Sequence, residues 1–228
     1  MKIQKNSRSR GVTLIELSIV LAILGVLIVA TISGKSLIDI SRATATMQQV
    51  RDRTLAFQIF SSTYDCTPGD CKASTVITGA LDGNGNGKIG TFIDAANPGE
   101  IAIVENHLEK SKLFNRPVAV AGVTLDNLLL ILPKSKVAAG YISTVHMGNQ
   151  PYSMIGGIAT ATDLMNSTVI VPGVFQIIDS KLDDGVANLG SIQCHTVAPA
   201  IDATGLLTLA TSAIDYTANC YLTLSLNY

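Results

Sequence analysis

The chain has 228 residues, 16 Lys and Arg against 17 Asp and Glu, and a formal net charge of −1. Charged residues make up 14 % of it, so there is no overall cationic footprint for nucleic acid, and nucleic acid is not indicated as a partner. Nor does the chain as a whole present a basic face to an anionic membrane surface.

Residues 1–11 hold Lys2, Lys5, Arg8 and Arg10, contain no acid, and end in Gly11. From Val12 to Ile32 run 21 residues whose only charged member is Glu16. At 1.5 Å per residue a helix of that length crosses a hydrocarbon core of roughly 30 Å, and the basic stub orients its N-terminus towards the cytoplasm. A carboxylate inside such a span costs about 2.5–3.5 kcal/mol, so Glu16 reads as a functional residue awaiting a partner. A secretory signal would end in a small-residue cleavage site beyond its apolar run. Here the small residue, Gly11, precedes the run, and a cut there leaves the span attached.

The stretch RSRGVTLIEL resembles the leader of type IV pilins and of type II secretion pseudopilins. The resemblance covers residues 8 to 30. It implies cleavage between Gly11 and Val12 by a prepilin peptidase, N-methylation of Val12, and pairing of Glu16 with the N-terminal amine of a neighbouring subunit. It further implies self-assembly into a helical filament with the help of an assembly platform and a motor. The precursor is then expected in a bacterial inner membrane, single-pass, with its head periplasmic, and the product in a surface or periplasmic filament. On physical grounds neither the new cation at Val12 nor the anion at Glu16 has an evident partner in its own helix, and pairing between subunits satisfies both.

The helix is expected to continue past the membrane to about residue 61. Ile40, Ala43, Met47, Val50, Thr54, Phe57 and Tyr64 recur mostly at spacings of three and four and form a packing stripe. Asp39, Arg42, Gln48, Arg51, Asp52 and Arg53 are assigned to the other faces. Gly25 and the Ser33–Gly34 pair are the weak points of this helix; many members of the resembled family carry proline where this chain has Ser33. The expected organisation is a leader (1–11), a membrane and filament-core half-helix (12–34), an amphipathic half-helix (35–64) and a globular head (65–228). A coiled-coil dimer seam is the alternative use of the stripe, disfavoured by Thr54 and by the long sequence that follows and must pack on something.

A periplasmic head permits disulfides. Cys66, Cys71, Cys194 and Cys220 allow three connectivities, of which 66–71 with 194–220 is favoured. A zinc site using His107 or His195 is the rival, weakened by the lack of a CxxC pair.

The head reads as α+β, a long helix packed on an antiparallel sheet with one or two short helices. Asn97-Pro98-Gly99-Glu100 is a helix start continued by Ile101, Val104, Leu108 and Leu113. A second short helix is expected around Pro172, Val174, Phe175, Ile178 and Leu182. Strands are expected around 117–122, 127–132, 138–146, 152–160, 190–198 and 220–227.

Between them lies the loop DGNGNGKIG. Asp82, Asn84 and Asn86 fall at the first, third and fifth places of a calcium loop, with Gly87 at the sixth. Calcium is therefore a candidate ligand, held by Asp82, Asn84, Asn86, the carbonyl of Lys88, and Asp94. Ile93 stands where a bidentate Glu belongs, and a metal-free Gly/Asn turn is the alternative. Asp179, Asp183, Asp184 and Gly185 form a second acidic run, read first as a helix end with an Asp-Gly turn. The sequence contains no GxSxG, no HExxH, no phosphate loop and no GxGxxG following an expected strand, and an enzyme is not expected. The alternatives to a pilus subunit are a type II secretion pseudopilin and a membrane-tethered periplasmic binding module that never polymerises.

Overall fold

The computed structural model describes residues 12–90, 99–114, 130–137, 140–147, 150–157, 169–186, 189–196, 200–201, 207–208 and 220–226. The first element, α1, is a continuous helix over Leu14–Tyr64, 51 residues. It passes through Gly25, Ser33 and Gly34 without a break and ends three residues beyond the expected limit. The chain divides after Asp39 into two compact units.

In the first unit, the described residues from Leu14 onward are all helical. Every large apolar side chain from Leu14 to Ile32 is exposed, from 48 % at Leu24 to 88 % at Leu14. A helix that is apolar all round is buried in lipid or in other protein when in use. This one is long and apolar enough to cross a membrane.

The second unit, Ile40–Tyr228, is α+β. After the remainder of α1 come a 3₁₀ turn at Ala73–Thr75, α2 at Gly99–Lys110, β1 at Tyr141–Met147, β2 at Gln150–Gly156 and α3 at Pro172–Leu182. The strands β3 (Ile192–His195), β4 (Ala200–Ile201), β5 (Leu207–Thr208) and β6 (Tyr221–Ser225) complete the sheet. Its order is β3-β6-β2-β1-β5-β4. The four strands β3, β6, β2 and β1 pair antiparallel throughout, and β5 joins β1 in parallel through Met147 and Leu207. Antiparallel register puts Ile142, Ile155 and Leu222 on one face and Val145 and Met154 on the other. All of these are buried, so the sheet is covered on both sides.

Two apolar clusters fill the second unit. Phe57 and Phe60 of α1 pack with Ile101, Val104 and Leu108 of α2 and with Ile89 and Met154. Ala43, Met47 and Val50 pack with Ile142, Ile155, Phe175, Ile178 and the Cys194–Cys220 pair. The expected stripe thus exists, with Ile40 at its exposed margin. One assignment is corrected: Arg53 faces inward and is 2 % exposed. Its Nε donates to Thr144 Oγ1 at 2.8 Å, and its guanidinium pairs with Glu105 of α2. Burial of that cation is viable because its counter-charge is buried with it.

The expected strand at 127–132 is corrected in its described part, where Leu130 and Ile131 are helical. The expected strand at 117–122 and the Asn97-Pro98 helix start lie outside the described residues. The short strands β4 and β5 fall where none was expected; with two residues each they lack the alternation by which strands are recognised.

Candidate functional site

Two regions hold most of the residues singled out by the sequence. At the N-terminal end, Gly11 lies outside the described residues and Val12 is 74 % exposed. The Glu16 carboxylate accepts from the Thr13 backbone N–H at 2.8 Å and from the Thr13 hydroxyl at 3.0 Å. The Glu16 N–H in turn donates to Thr13 Oγ1 at 3.3 Å. This reciprocal arrangement is a capping box, T-x-x-E, which satisfies amides that the first turn of a helix leaves orphaned. The view that Glu16 lacks a partner in its own helix is corrected accordingly. The anion also sits at the positive end of the helix dipole.

The second region is the segment from Cys66 to Gly90. Cys66 is bonded to Cys71 and Cys194 to Cys220, with Cα–Cα distances of 5.7 and 5.6 Å. No described cysteine is free, so the zinc alternative is set aside: its thiolates are consumed. Inside the first disulfide loop, Thr67-Pro68-Gly69-Asp70 makes a tight turn closed by Asp70 N–H on Thr67 O at 3.2 Å. Gly69 has φ +96°, as the third position of a type II turn requires, and a Cβ there would strike the Val104 side chain.

The turn aims Asp70 at the following loop. Asn86 N–H donates to Asp70 Oδ1 at 2.8 Å and Gly87 N–H to Oδ2 at 2.9 Å. Glu100, in the first turn of α2, accepts from Asn84 N–H at 3.1 Å and from Gly90 N–H at 2.6 Å. Asn106 Oδ1 accepts from Leu81 N–H at 2.9 Å. His107 accepts from Gly69 N–H at Nδ1 (2.9 Å) and donates from Nε2 to Leu81 O (2.6 Å), which fixes its neutral tautomer. Its ring stacks on Phe60 with centroids 5.5 Å apart. His146 of β1 accepts from Ile89 N–H at Nδ1, again at 2.9 Å. Six amides between Gly69 and Gly90 are therefore taken by Asp70, Glu100, His107 and His146, all of them buried.

Burial shifts His107, His146 and Glu100 from their ordinary values. It pushes His107 and His146 below the ordinary histidine value, against the opposing pull of Asp82 on the first and Asp70 on the second. It pushes Glu100 up, more strongly than its two amide bonds pull it down, and Asp70 adds to the rise. His195, which shares a hydrogen bond of 3.0 Å with Thr223 Oγ1, is driven down to about 4 by burial.

Among the candidate calcium ligands, the side-chain oxygens of Asp82, Asn84 and Asn86 each have a protein donor. Ser74 gives both its N–H (2.9 Å) and its hydroxyl (2.8 Å) to Asp82, and these bonds hold the Asp82 carboxyl below the usual range. Asn84 Oδ1 accepts from Asn86 N–H at 2.9 Å, and Asn86 Oδ1 from Lys88 N–H at 2.8 Å. Asp94 lies outside the described residues. Among the described acids, histidines and cysteines, the group drawn to metal-ligand spacing is Asp179, Asp183 and Asp184, within 4.8 Å of one another at the end of α3. There Asp183 Oδ2 accepts Ile192 N–H at 2.7 Å and Asp184 Oδ1 accepts Val186 N–H at 2.8 Å, as a helix end with an Asp-Gly turn requires.

Residues 6–32 match the family model of the prokaryotic N-terminal methylation motif. The chain carries that N-terminal motif. Among solved structures, the chain is similar to the major type IV pilin PilA1 from Clostridium difficile, at 13 % identity over 84 % of this chain and 98 % of that one, with a TM-score of 0.39. No curated protein matches it.

Sequence reasoning singled out Gly11, Val12 and Glu16 and missed Asp70, Glu100, Asn106, His107 and His146 as a set. The signal for Thr13 was present as T-x-x-E. The loop acceptors carried none, since each meets its amide through the fold.

Proposed function

We propose that the chain is a structural subunit of a type IV pilus-like filament. The precursor is held in the inner membrane by residues 12–34, with the basic leader in the cytoplasm. A prepilin peptidase cuts between Gly11 and Val12, and Val12 is N-methylated. The assembled filament is held by the N-terminal helices, and Glu16 receives the Val12 ammonium of a neighbouring copy.

The observation that carries this reading is the methylation motif at residues 6–32. It is joined to a helix whose apolar residues are exposed all round and so need lipid or other copies around them. Burial is worth about 25 cal/mol per Å² of apolar surface, so packing against neighbouring spans can offset removal from lipid. Heterologous contacts that do not close into a ring generate a filament. The capping box is compatible with the pairing role: a carboxylate has about four acceptor positions, and Thr13 occupies Oε2 alone.

The same motif supports a second reading, a pseudopilin of a type II secretion system. The Cys194–Cys220 pair favours the pilus because the region it bounds resembles the disulfide-bounded region of type IV pilins. The test is mass spectrometry of filaments sheared from the cell surface. A mature chain beginning at N-methylated Val12 is expected. A chain found only as an inner-membrane monomer, with its leader intact, contradicts the proposal.

A further inference from the structure

We propose that the Asn84–Gly85 and Asn86–Gly87 steps are a latent self-modification site, deamidation through a succinimide, which Asp70 holds closed. The inference rests on the head loop alone and stands apart from the filament reading.

In this reaction the glycine amide nitrogen attacks the side-chain carbonyl carbon of the preceding asparagine. The N–H bond breaks, its proton passing to water or hydroxide, and the new N–C bond closes a five-membered ring. The C–NH2 bond then breaks and ammonia leaves. Water opens the ring at either carbonyl, leaving aspartate or isoaspartate, with no change of oxidation state. Glycine as the following residue presents no side chain to block the attack.

Both asparagines are exposed, and a Cβ built on Gly85 or Gly87 would meet nothing within 4 Å, so solvent reaches the reacting atoms. The electrophiles are polarised: Asn86 N–H bonds the Asn84 carbonyl oxygen at 2.9 Å and Lys88 N–H bonds that of Asn86 at 2.8 Å, where negative charge develops on attack. The nucleophiles are withheld. Gly85 N–H donates to the backbone oxygen of Asp70 at 2.9 Å, and Gly87 N–H donates to Asp70 Oδ2 at 2.9 Å. An amide tied to a buried acceptor is turned from the attack line, and one tied to a carboxylate is also harder to deprotonate. Each step therefore waits for the loop to leave Asp70, and the modification records that opening.

The two ties differ in kind, which makes the proposal separable from general unfolding. Asp70→Ala deletes the carboxylate that accepts from Asn86 N–H and Gly87 N–H and keeps the backbone oxygen that holds Gly85. A hydrogen bond to a charged group is worth roughly 1.5–3 kcal/mol, so deamidation at Asn86 should accelerate about ten- to hundredfold, with a much smaller change at Asn84.

The experiment incubates the full chain in detergent micelles in mildly alkaline buffer and follows both asparagines by peptide-resolved mass spectrometry. Alongside run the Asp70→Ala chain, the urea-unfolded wild type, and a synthetic peptide covering residues 80–90. The folded wild type should react more slowly than the peptide and the unfolded chain at both positions. Equal rates in folded wild type and peptide would overturn the proposal whether or not the variant folds. Equal acceleration of Asn84 and Asn86 in a folded Asp70→Ala chain would overturn the role given to the carboxylate.

Discussion

The first half of α1 and the segment from Cys66 to Gly90 are opposite solutions to the same problem. The helix satisfies its backbone internally and leaves its apolar side chains exposed, so it is incomplete until lipid or other protein surrounds it. The loop has little regular structure and instead hands its amides to buried side chains, Asp70 within the segment and Glu100, His107 and His146 beyond it. One region is built to be completed by a partner; the other is complete by itself. Where satisfaction is internal and periodic, sequence reveals it; where it depends on distant residues, only the fold does.

The largest way to disturb the self-contained region is to break its buried ion pair. Glu105→Ala leaves Arg53 buried and uncompensated, and should destabilise the second unit by about 3–5 kcal/mol in urea unfolding of the full chain in micelles. The double change Arg53→Met with Glu105→Leu should recover most of that loss, because it removes both charges together. No recovery would mean that the pair organises the packing rather than merely satisfying itself.

Acidification comes next. The folded value for His195 is about 4, below the ordinary 6.5. Its contribution is therefore fully present above pH about 6.5 and is lost as pH falls towards about 4, amounting to about 3 kcal/mol at most. His107 and His146 are shifted the same way and act with the same sign. Glu100 is shifted up, so its contribution is fully present in acid and is lost as pH rises through its folded value, opposing the histidines. Urea midpoints measured across pH 4 to 7 should fall towards the acid end, and His195→Asn should flatten the profile. A flat wild-type profile would show that burial does not hold these rings neutral.

A smaller effect is expected at His146. Asn places an oxygen where Nδ1 stands and still accepts the Ile89 N–H, whereas Phe does not. His146→Phe should cost about 1–3 kcal/mol, the penalty of an orphaned buried amide. His146→Asn should cost less and lose the acid sensitivity. Equal costs would remove the acceptor role.

Arg53 shows how far the sequence carried. It follows Val50 by three and precedes Phe57 by four, which places it in the buried stripe. Its charge argued for the outer face, and the counter-argument, Glu105, lies 52 residues away. The long helix, α2, α3 and the antiparallel strands were legible because their apolar residues repeat at helical or strand periods. The calcium pattern DGNGNG was legible as oxygens at the right spacing, yet the fold gives those oxygens to Ser74 and to the loop's own amides. At the N-terminus the motif is readable from Gly11 to Glu16, and T-x-x-E within it also encodes the local bonds between Thr13 and Glu16.

Those bonds supply the most direct test, since Glu16 could serve only as a cap. Thr13→Ala removes the hydroxyl's two bonds in the box and keeps the backbone bond and the anion, at a cost of about 0.5–2 kcal/mol to the helix end; Glu16→Ala removes the anion and the bonds made to it. The measurement is the incorporation of each variant into sheared filaments, at matched levels in the membrane. Assembly through Glu16 predicts that Thr13→Ala chains are incorporated nearly as well as wild type and that Glu16→Ala chains are largely excluded. Equal incorporation of Glu16→Ala and wild type, or equal exclusion of the two variants, would contradict it.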